Sequence, residues 1–178
     1  MIFVVAGRRP DAPDAPAPRF PETMCPRVQS RLHALYQQMK PKEHVSSAAA
    51  GTDLLALEAA KTYGARPLVI IPYDIQQFVE IAIRDKGEHW VRRFNLLMPW
   101  IKTEGELQNL RLSPWDNGAF AATNLALLKR AQDLSPEPEV LAVLVWDGRS
   151  SGGYDHSLNF KNGAEANSYR IREISTLP

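Results

Sequence analysis

The chain predicts an α/β fold, a Rossmann-like doubly wound and mostly parallel sheet with helices on both faces, on three observations. Short apolar runs alternate strictly with stretches of helical periodicity through the first half of the sequence. The strand-like runs Ile2–Ala6, Leu68–Ile71 and Val140–Trp146 are apolar throughout, which is how strands buried on both faces read. Breakers fall between the segments, at Pro41, Gly64 and Pro72.

Ile2-Phe3-Val4-Val5-Ala6 opens the sheet and ends in Gly7-Arg8-Arg9. Residues 10–21 hold five prolines, a composition that excludes helix and favours extended chain. The segment reads either as a surface spacer or as a flap beside the carboxyl end of the first strand. Pro21 suits the first turn of a helix in which Met24, Val28, Leu32, Leu35 and Met39 share a face, and Pro41 stops it. His44–Ser47 gives a second strand, Thr52–Tyr63 a second helix closed by Gly64, and Leu68–Ile71 a third strand. Ile75, Phe78, Val79, Ala82 and Ile83 mark an amphipathic helix. After Lys86-Gly87, Trp90, Phe94, Leu97 and Ile101 mark another. Leu107–Leu112 is a weak strand. Trp115 and Asn117 follow it as core or capping residues, ahead of a helix with Phe120, Asn124, Leu127, Leu128 and Ala131 on one side. The Pro136-Glu137-Pro138 turn precedes the strand Val140–Trp146. A helix from Tyr154 to Ala166 and an edge-type strand from Arg170 to Ser175 finish the chain. There is no internal repeat and no second core, so residues 1–178 are expected to form one domain.

Composition excludes several function classes. The 21 Lys and Arg nearly cancel the 20 Asp and Glu, which gives no drive toward duplex nucleic acid or an anionic membrane. The single Cys25 forms no internal disulfide, and no Cys or His spacing suits zinc. Neither a metal nor another cofactor is expected. A lone cysteine makes a reducing cytoplasm the expected compartment, and Met1–Ala6, short and followed by Arg8 and Arg9, has the wrong order for a signal peptide.

In a doubly wound sheet, ligands bind outside the carboxyl ends of the strands, which gives functional weight to three loops. Gly7 permits close backbone approach, and Arg8 and Arg9 carry planar forks suited to phosphate oxygens. Ser46, Ser47, Ala48, Gly51 and Thr52 enter a helix through small residues and hydroxyls, so unpaired amides at the positive helix end can grip an anion. The turn lacks the lysine of a P-loop and the spacing of Gly-x-Gly-x-x-Gly. Asp53 in the first turn would repel a phosphate but suits ribose hydroxyls; capping its own helix is the competing role. Glu58 lies roughly 140° further round that helix and makes no acid/base pair with it. Asp147, Gly148, Ser150, Ser151 and Asp155 form a polar loop able to wrap a ligand. His33, His44, His89 and His156 are scattered, with no nucleophile motif beside them.

Val5-Ala-Gly-Arg-Arg9, followed by Val45-Ser-Ser-Ala-Ala-Ala-Gly-Thr-Asp-Leu-Leu-Ala-Leu-Glu-Ala-Ala60 and an apolar strand ending at Pro72, resembles the SLOG superfamily. This Rossmann-like group contains Smf/DprA proteins and LOG-type nucleotide phosphoribohydrolases. The tail from Val145 to Ile174 is similar to that of bacterial stand-alone or signalling-associated SLOG domains. The resemblance implies a nucleotide or nucleotide-derived ligand, held by the turn at Ser47–Asp53 with help from Arg8. LOG-type enzymes carry Pro-Gly-Gly-x-Gly-Thr with glutamates close behind, whereas Leu54 and Leu55 follow Asp53 here. Single-stranded DNA binding of the DprA kind finds no basic-aromatic stripe.

The leading expectation is a sensor or binding domain for a nucleotide-like small molecule, in a signalling or defence system. Arg8 and the Ser47–Thr52 turn would take phosphate, Asp53 the sugar, and Asp147, Ser150, Ser151 and Asp155 would close the far side. The alternative is an enzyme that cleaves or exchanges an N-glycosidic bond, with Asp53 as the catalytic carboxylate. A third class, a homo-oligomeric scaffold joined through Phe78, Trp90 and Phe94, requires no ligand.

Overall fold

The computed structural model describes residues 1–134, 139–150, 152–153 and 155–178. Strands β1 (Ile2–Gly7), β2 (Glu43–Ser46), β3 (Arg66–Ile71), β4 (Glu106–Asn109), β5 (Val140–Trp146) and β6 (Arg170–Ser175) form one sheet. Its order is β4-β3-β2-β1-β5-β6, and every neighbouring pair is parallel. The helices that join them are α1 (Cys25–Met39), α2 (Thr52–Thr62), α3 (Ile75–Ala82), α4 (Glu88–Glu104), α5 (Ala119–Leu134) and α6 (His156–Ala166). The chain winds outward from β1 to β4, crosses back through α5 to β5 on the other flank of β1, and ends on β6. This is the expected α/β, Rossmann-like doubly wound arrangement. The reversal lies between β1 and β5, where diverging loops leave a crevice at the strands' carboxyl ends.

Alternate side chains of each interior strand supply two cores. Phe3 and Val5 of β1 join Val69, Ile71, Val143 and Val145 beneath α1 to α4. Ile2, Val4 and Ala6 join Val45, Ile70 and Leu144 beneath α5 and α6. Helix α2 lies against α1, α4 and the sheet, and eight of its eleven residues are buried. Leu54, Leu55 and Leu57 are wholly enclosed, each contributing about 1.5–3 kcal/mol by burial. Whatever α2 carries at its first turn is therefore held on a rigid base.

Several boundaries differ from the sequence expectation. Pro21 precedes a single 3-10 turn, Glu22–Met24, and α1 begins at Cys25 with Pro26 in its first turn. Lys40 then ends the helix in the left-handed region (φ 45°), its N–H donating to the Tyr36 carbonyl ahead of Pro41. Strand β2 runs one residue earlier than expected. The weak fourth strand stops at Asn109, and it pairs with Leu68–Ile71 of β3. Trp115, expected in the core or at a cap, is 90% exposed, and it is Asp116 that accepts the Gly118 N–H ahead of α5 rather than Asn117. Phe78, Trp90 and Phe94, the expected contact surface of a scaffold, are buried in the chain's own core. The turn at 136–138 and Tyr154 lie outside the described residues, and α6 begins at His156. No helix among the described residues is long and apolar enough to cross a membrane.

Candidate functional site

Gly7 ends β1 at a point of backbone crowding. A Cβ there would stand 2.2 Å from the Val145 carbonyl oxygen and 2.7 Å from Thr52 Oγ1. Only glycine lets β1, β5 and the start of α2 meet so closely. Gly51 does the same for the helix mouth: it has φ 87°, and a Cβ would lie 2.6 Å from Pro10 Cδ and 3.1 Å from the Arg8 carbonyl. Thr52 locks this junction by donating both its N–H (3.3 Å) and its hydroxyl (2.8 Å) to the Arg8 carbonyl.

The amides at the mouth of α2 are largely engaged within the protein. Ala49 N–H donates to the Asp53 carboxylate at 3.1 Å, and Ala50 N–H to the Ala82 carbonyl at 3.0 Å. With Thr52 also engaged, three amides expected to face an anion have protein partners. Asp53 thus closes the turn that precedes its helix, with no side-chain cap on the N-terminus of α2 itself, while also lining the adjoining cavity. Ser46 is fully buried. Its hydroxyl stands 2.7 Å from His44 Nε2 and donates to the Ser47 carbonyl at 2.6 Å, while His44 Nδ1 meets the Tyr36 hydroxyl. Ala48 is packed in the core.

Across β1, the loop after β5 forms a cluster of two arginines and two carboxylates. Arg8 Nε donates to Asp147 Oδ1 (3.1 Å) and Nη2 to Asp155 Oδ2 (2.8 Å) and to the Arg149 carbonyl (2.8 Å). Arg19 grips Asp147 with two nitrogens, at 2.9 and 3.0 Å, approaches Asp155 at 3.5 Å and also donates to the Arg149 carbonyl. Both carboxylates have side chains almost entirely removed from solvent. Burial alone would raise Asp147, but the Arg19 hydrogen bond and the charges of Arg8 and Arg19 hold it below the usual carboxylate range. The same hydrogen bond to Asp147 raises Arg19 despite its partial burial. Asp155 also caps α6, accepting from Ser157 N–H (2.9 Å) and Leu158 N–H (3.1 Å).

Arg19 belongs to the proline-rich segment, which is therefore a flap at the carboxyl end of β1. Its ends are closed by Asp11 N–H on the Phe20 carbonyl (2.9 Å) and by the Asp11 carboxylate accepting from Arg19 and Phe20 N–H, both at 2.7 Å. Phe20 is buried and Thr176 donates to the Arg19 carbonyl.

Between these two regions opens a cavity of about 510 Å³, within the range of small-molecule sites. One side carries Gly7, Ser47, Ala49 and Asp53; α5 supplies Phe120, Thr123, Asn124 and Leu127 opposite. Arg9, Lys86, Asp155, His156 and Ser157 also line the cavity. Asn124 is nearly buried and its side-chain nitrogen donates to the His156 carbonyl at 2.9 Å, tying α5 to α6. The Phe120 and His156 rings meet edge to face, centroids 5.6 Å apart. Burial pushes the Asp53 carboxyl up to about 7, against the opposing pull of the Ala49 N–H and the Arg9 charge. Burial lowers His156, with Asp155 opposing.

Of the residues singled out by sequence, Gly7, Arg8, Arg9, Ser47, Asp53 and Asp155 line this cavity. Gly51, Thr52 and Asp147 build its frame. Gly148 and Ser150 are exposed at a loop tip, and Ser151 lies outside the described residues. Glu58 is on another face of α2, accepting from Gln29 (2.8 Å) and Arg93 (3.2 Å). Sequence reasoning missed Arg19, Lys86 and the cavity role of Phe120 and His156. Only the shared helical face of Phe120, Asn124 and Leu127 carried a signal. Among the described residues, no group of three or more His, Cys, Asp or Glu is placed to hold a metal ion. Comparison with family models, with curated proteins and with solved structures finds no match to this chain.

Proposed function

We propose that this is a SLOG-type domain that binds or senses a nucleotide or nucleotide-derived small molecule in the switch-point cavity. The observation that carries the reading is the pairing of walls. An aromatic and aliphatic face, Phe120 and Leu127, stands across a cavity of about 510 Å³ from a polar face of Ser47, the Ala49 backbone and Asp53. A heteroaromatic base suits the first face and a sugar the second. Asn124, whose nitrogen is spent on the His156 carbonyl, offers its oxygen to a donor on the ligand. A role in cytoplasmic signalling or defence is the setting that the SLOG resemblance suggests.

One observation favours the enzymatic alternative, cleavage of an N-glycosidic bond. Asp53 is nearly buried, lines the cavity and is raised to about 7, so near neutral pH it holds a proton it can give or take. In that reaction the bond between C1′ and the base nitrogen breaks and its electron pair leaves with the base, which takes up a proton. A water oxygen then bonds to C1′ and releases a proton.

Incubation with nucleoside monophosphates and NAD-like compounds separates the two readings. A thermal shift without product supports the binding domain, since a ligand for the folded state stabilises by mass action. Free base and ribose phosphate, lost on Asp53→Asn, support the enzyme. No shift and no product across the set overturns both.

A further inference from the structure

We propose that Arg9 and Lys86, not Arg8, form the anion-recognising end of the cavity, so that a phosphate or carboxylate on the ligand lies on the α3–α4 side of the switch point. The inference rests on the nucleotide reading above and says which end of such a ligand goes where.

The guanidinium groups differ in what they have left to give. Arg8 and Arg19 share two buried carboxylates, and the Arg149 carbonyl takes a further bond from each. An anion brought to either would lie close to the charges of Asp147 and Asp155, which these two guanidinium groups already compensate in a poorly hydrated corner. Among the described residues Arg9 has one ion pair, through Nη2 to Asp85, whose side chain is 43% exposed. Its Nε is enclosed and has no hydrogen-bond partner among the described residues. Lys86 lines the same cavity, and its ammonium makes no ion pair among the described residues. The 3-10 turn Arg84–Lys86 presents Asp85 and Lys86 together, so Asp85 steadies Arg9 at an exposed position where its field is weakened by water. Two further carboxylates line the cavity with Arg9: Asp11, whose carboxylate accepts from the Arg19 and Phe20 N–H groups, and Asp53, which feels the Arg9 charge and lies where a sugar rather than a phosphate would rest.

The test compares adenosine with adenosine 5′-monophosphate, which differ by the anion alone, with Kd measured by calorimetry. The full chain should bind the monophosphate about tenfold more tightly, as a charge-assisted contact allows, and added salt should narrow that ratio. Arg9→Ala and Lys86→Gln should each bring the ratio toward one with adenosine affinity kept. Asp85→Asn, which frees Arg9, should widen it several-fold. Because Asp85 is exposed and Lys86 only half-buried, these two variants test the assignment even if Arg9→Ala folds poorly. Equal binding of both probes, or a ratio that survives Arg9→Ala and Lys86→Gln but falls with Arg8→Lys, overturns the assignment and leaves the cavity reading standing. Failure of both probes to bind overturns the nucleotide reading, and this inference with it.

Discussion

The two flanks of the switch point are built from the same residue types and treat charge in opposite ways. On the β5 flank, Arg8, Arg19, Asp147 and Asp155 neutralise one another, with both carboxylates almost wholly enclosed. On the β2 flank, among the described residues, Asp53 accepts one backbone N–H, Arg9 keeps an enclosed nitrogen without a hydrogen-bond partner, and Lys86 lines the cavity. A satisfied network fixes geometry and has little left for a ligand, whereas an under-satisfied one holds interaction energy in reserve. The first flank is therefore a brace, and the second is the flank that the proposed function assigns to the ligand.

The largest expected effect tests the brace. Asp147→Ala leaves Arg8 and Arg19 without the carboxylate that each contacts at about 3 Å, and such loss of one member of a buried ionic cluster costs about 3–5 kcal/mol. Urea unfolding should show the drop with an unchanged m-value; a loss under about 1 kcal/mol would mean that the cluster is ornamental to stability. Gly51→Ala should come next, costing roughly 1–3 kcal/mol, because alanine is strained at φ 87° and its Cβ meets Pro10 and the Arg8 carbonyl.

Proton linkage tests the β2 flank from within, through two buried groups on either side of one loop. His44 is enclosed and burial lowers it from 6.5 to about 3. The unfolded chain therefore binds the extra proton in that window, and His44 makes stability fall as pH falls. Asp53 is raised from 3.8 to about 7. Here the folded chain binds the extra proton, so its contribution is full below the unfolded value and is lost as pH rises toward 7. Between about 4 and 6.5 the two slopes oppose and nearly cancel. Asp53→Asn removes one of them. The stability of the parent chain minus that of the variant should therefore fall by about 1.4 kcal/mol per pH unit across the window. A flat difference would show that Asp53 is ionised in the folded state throughout, and would remove the chemical basis of the enzymatic reading.

These contrasts also explain what the sequence made legible. Interior strands such as Val140–Trp146 are buried on both faces and so announce themselves as unbroken apolar runs. Gly7 is legible as a place of close backbone approach, whereas Gly51 reads as room for an anion and is instead crowded by Pro10 and the Arg8 carbonyl. The charge assignment is not legible, because Arg8 finds its carboxylates 139 and 147 positions away, and Arg19 sits in a proline-rich stretch with no periodicity to place it. Arg8 and Arg9 are neighbours in sequence with opposite fates, decided by which flank each side chain turns toward. Trp90 and Trp115 make the same point for packing. One lies in the first turn of α4 and the other shortly before α5, yet the first is 1% exposed and the second 90%.

The smallest expected effect concerns the tip of the loop after β5, where the brace meets solvent. Gly148 and Ser150 read in the sequence as part of a wrap around the ligand. The Ser150 hydroxyl instead accepts the Gly152 N–H at 3.3 Å in an exposed turn, and the residue does not line the cavity. A long hydrogen bond in full contact with water is worth little, because water replaces it on either partner. Ser150→Ala should accordingly shift stability by no more than about 0.5 kcal/mol and leave the affinity for adenosine 5′-monophosphate within about twofold, a change of under 0.5 kcal/mol. A tenfold loss of affinity with stability intact would mean that this tip folds over a bound ligand. The β5 flank would then be more than a brace, and the division of labour between the two flanks would have to be redrawn.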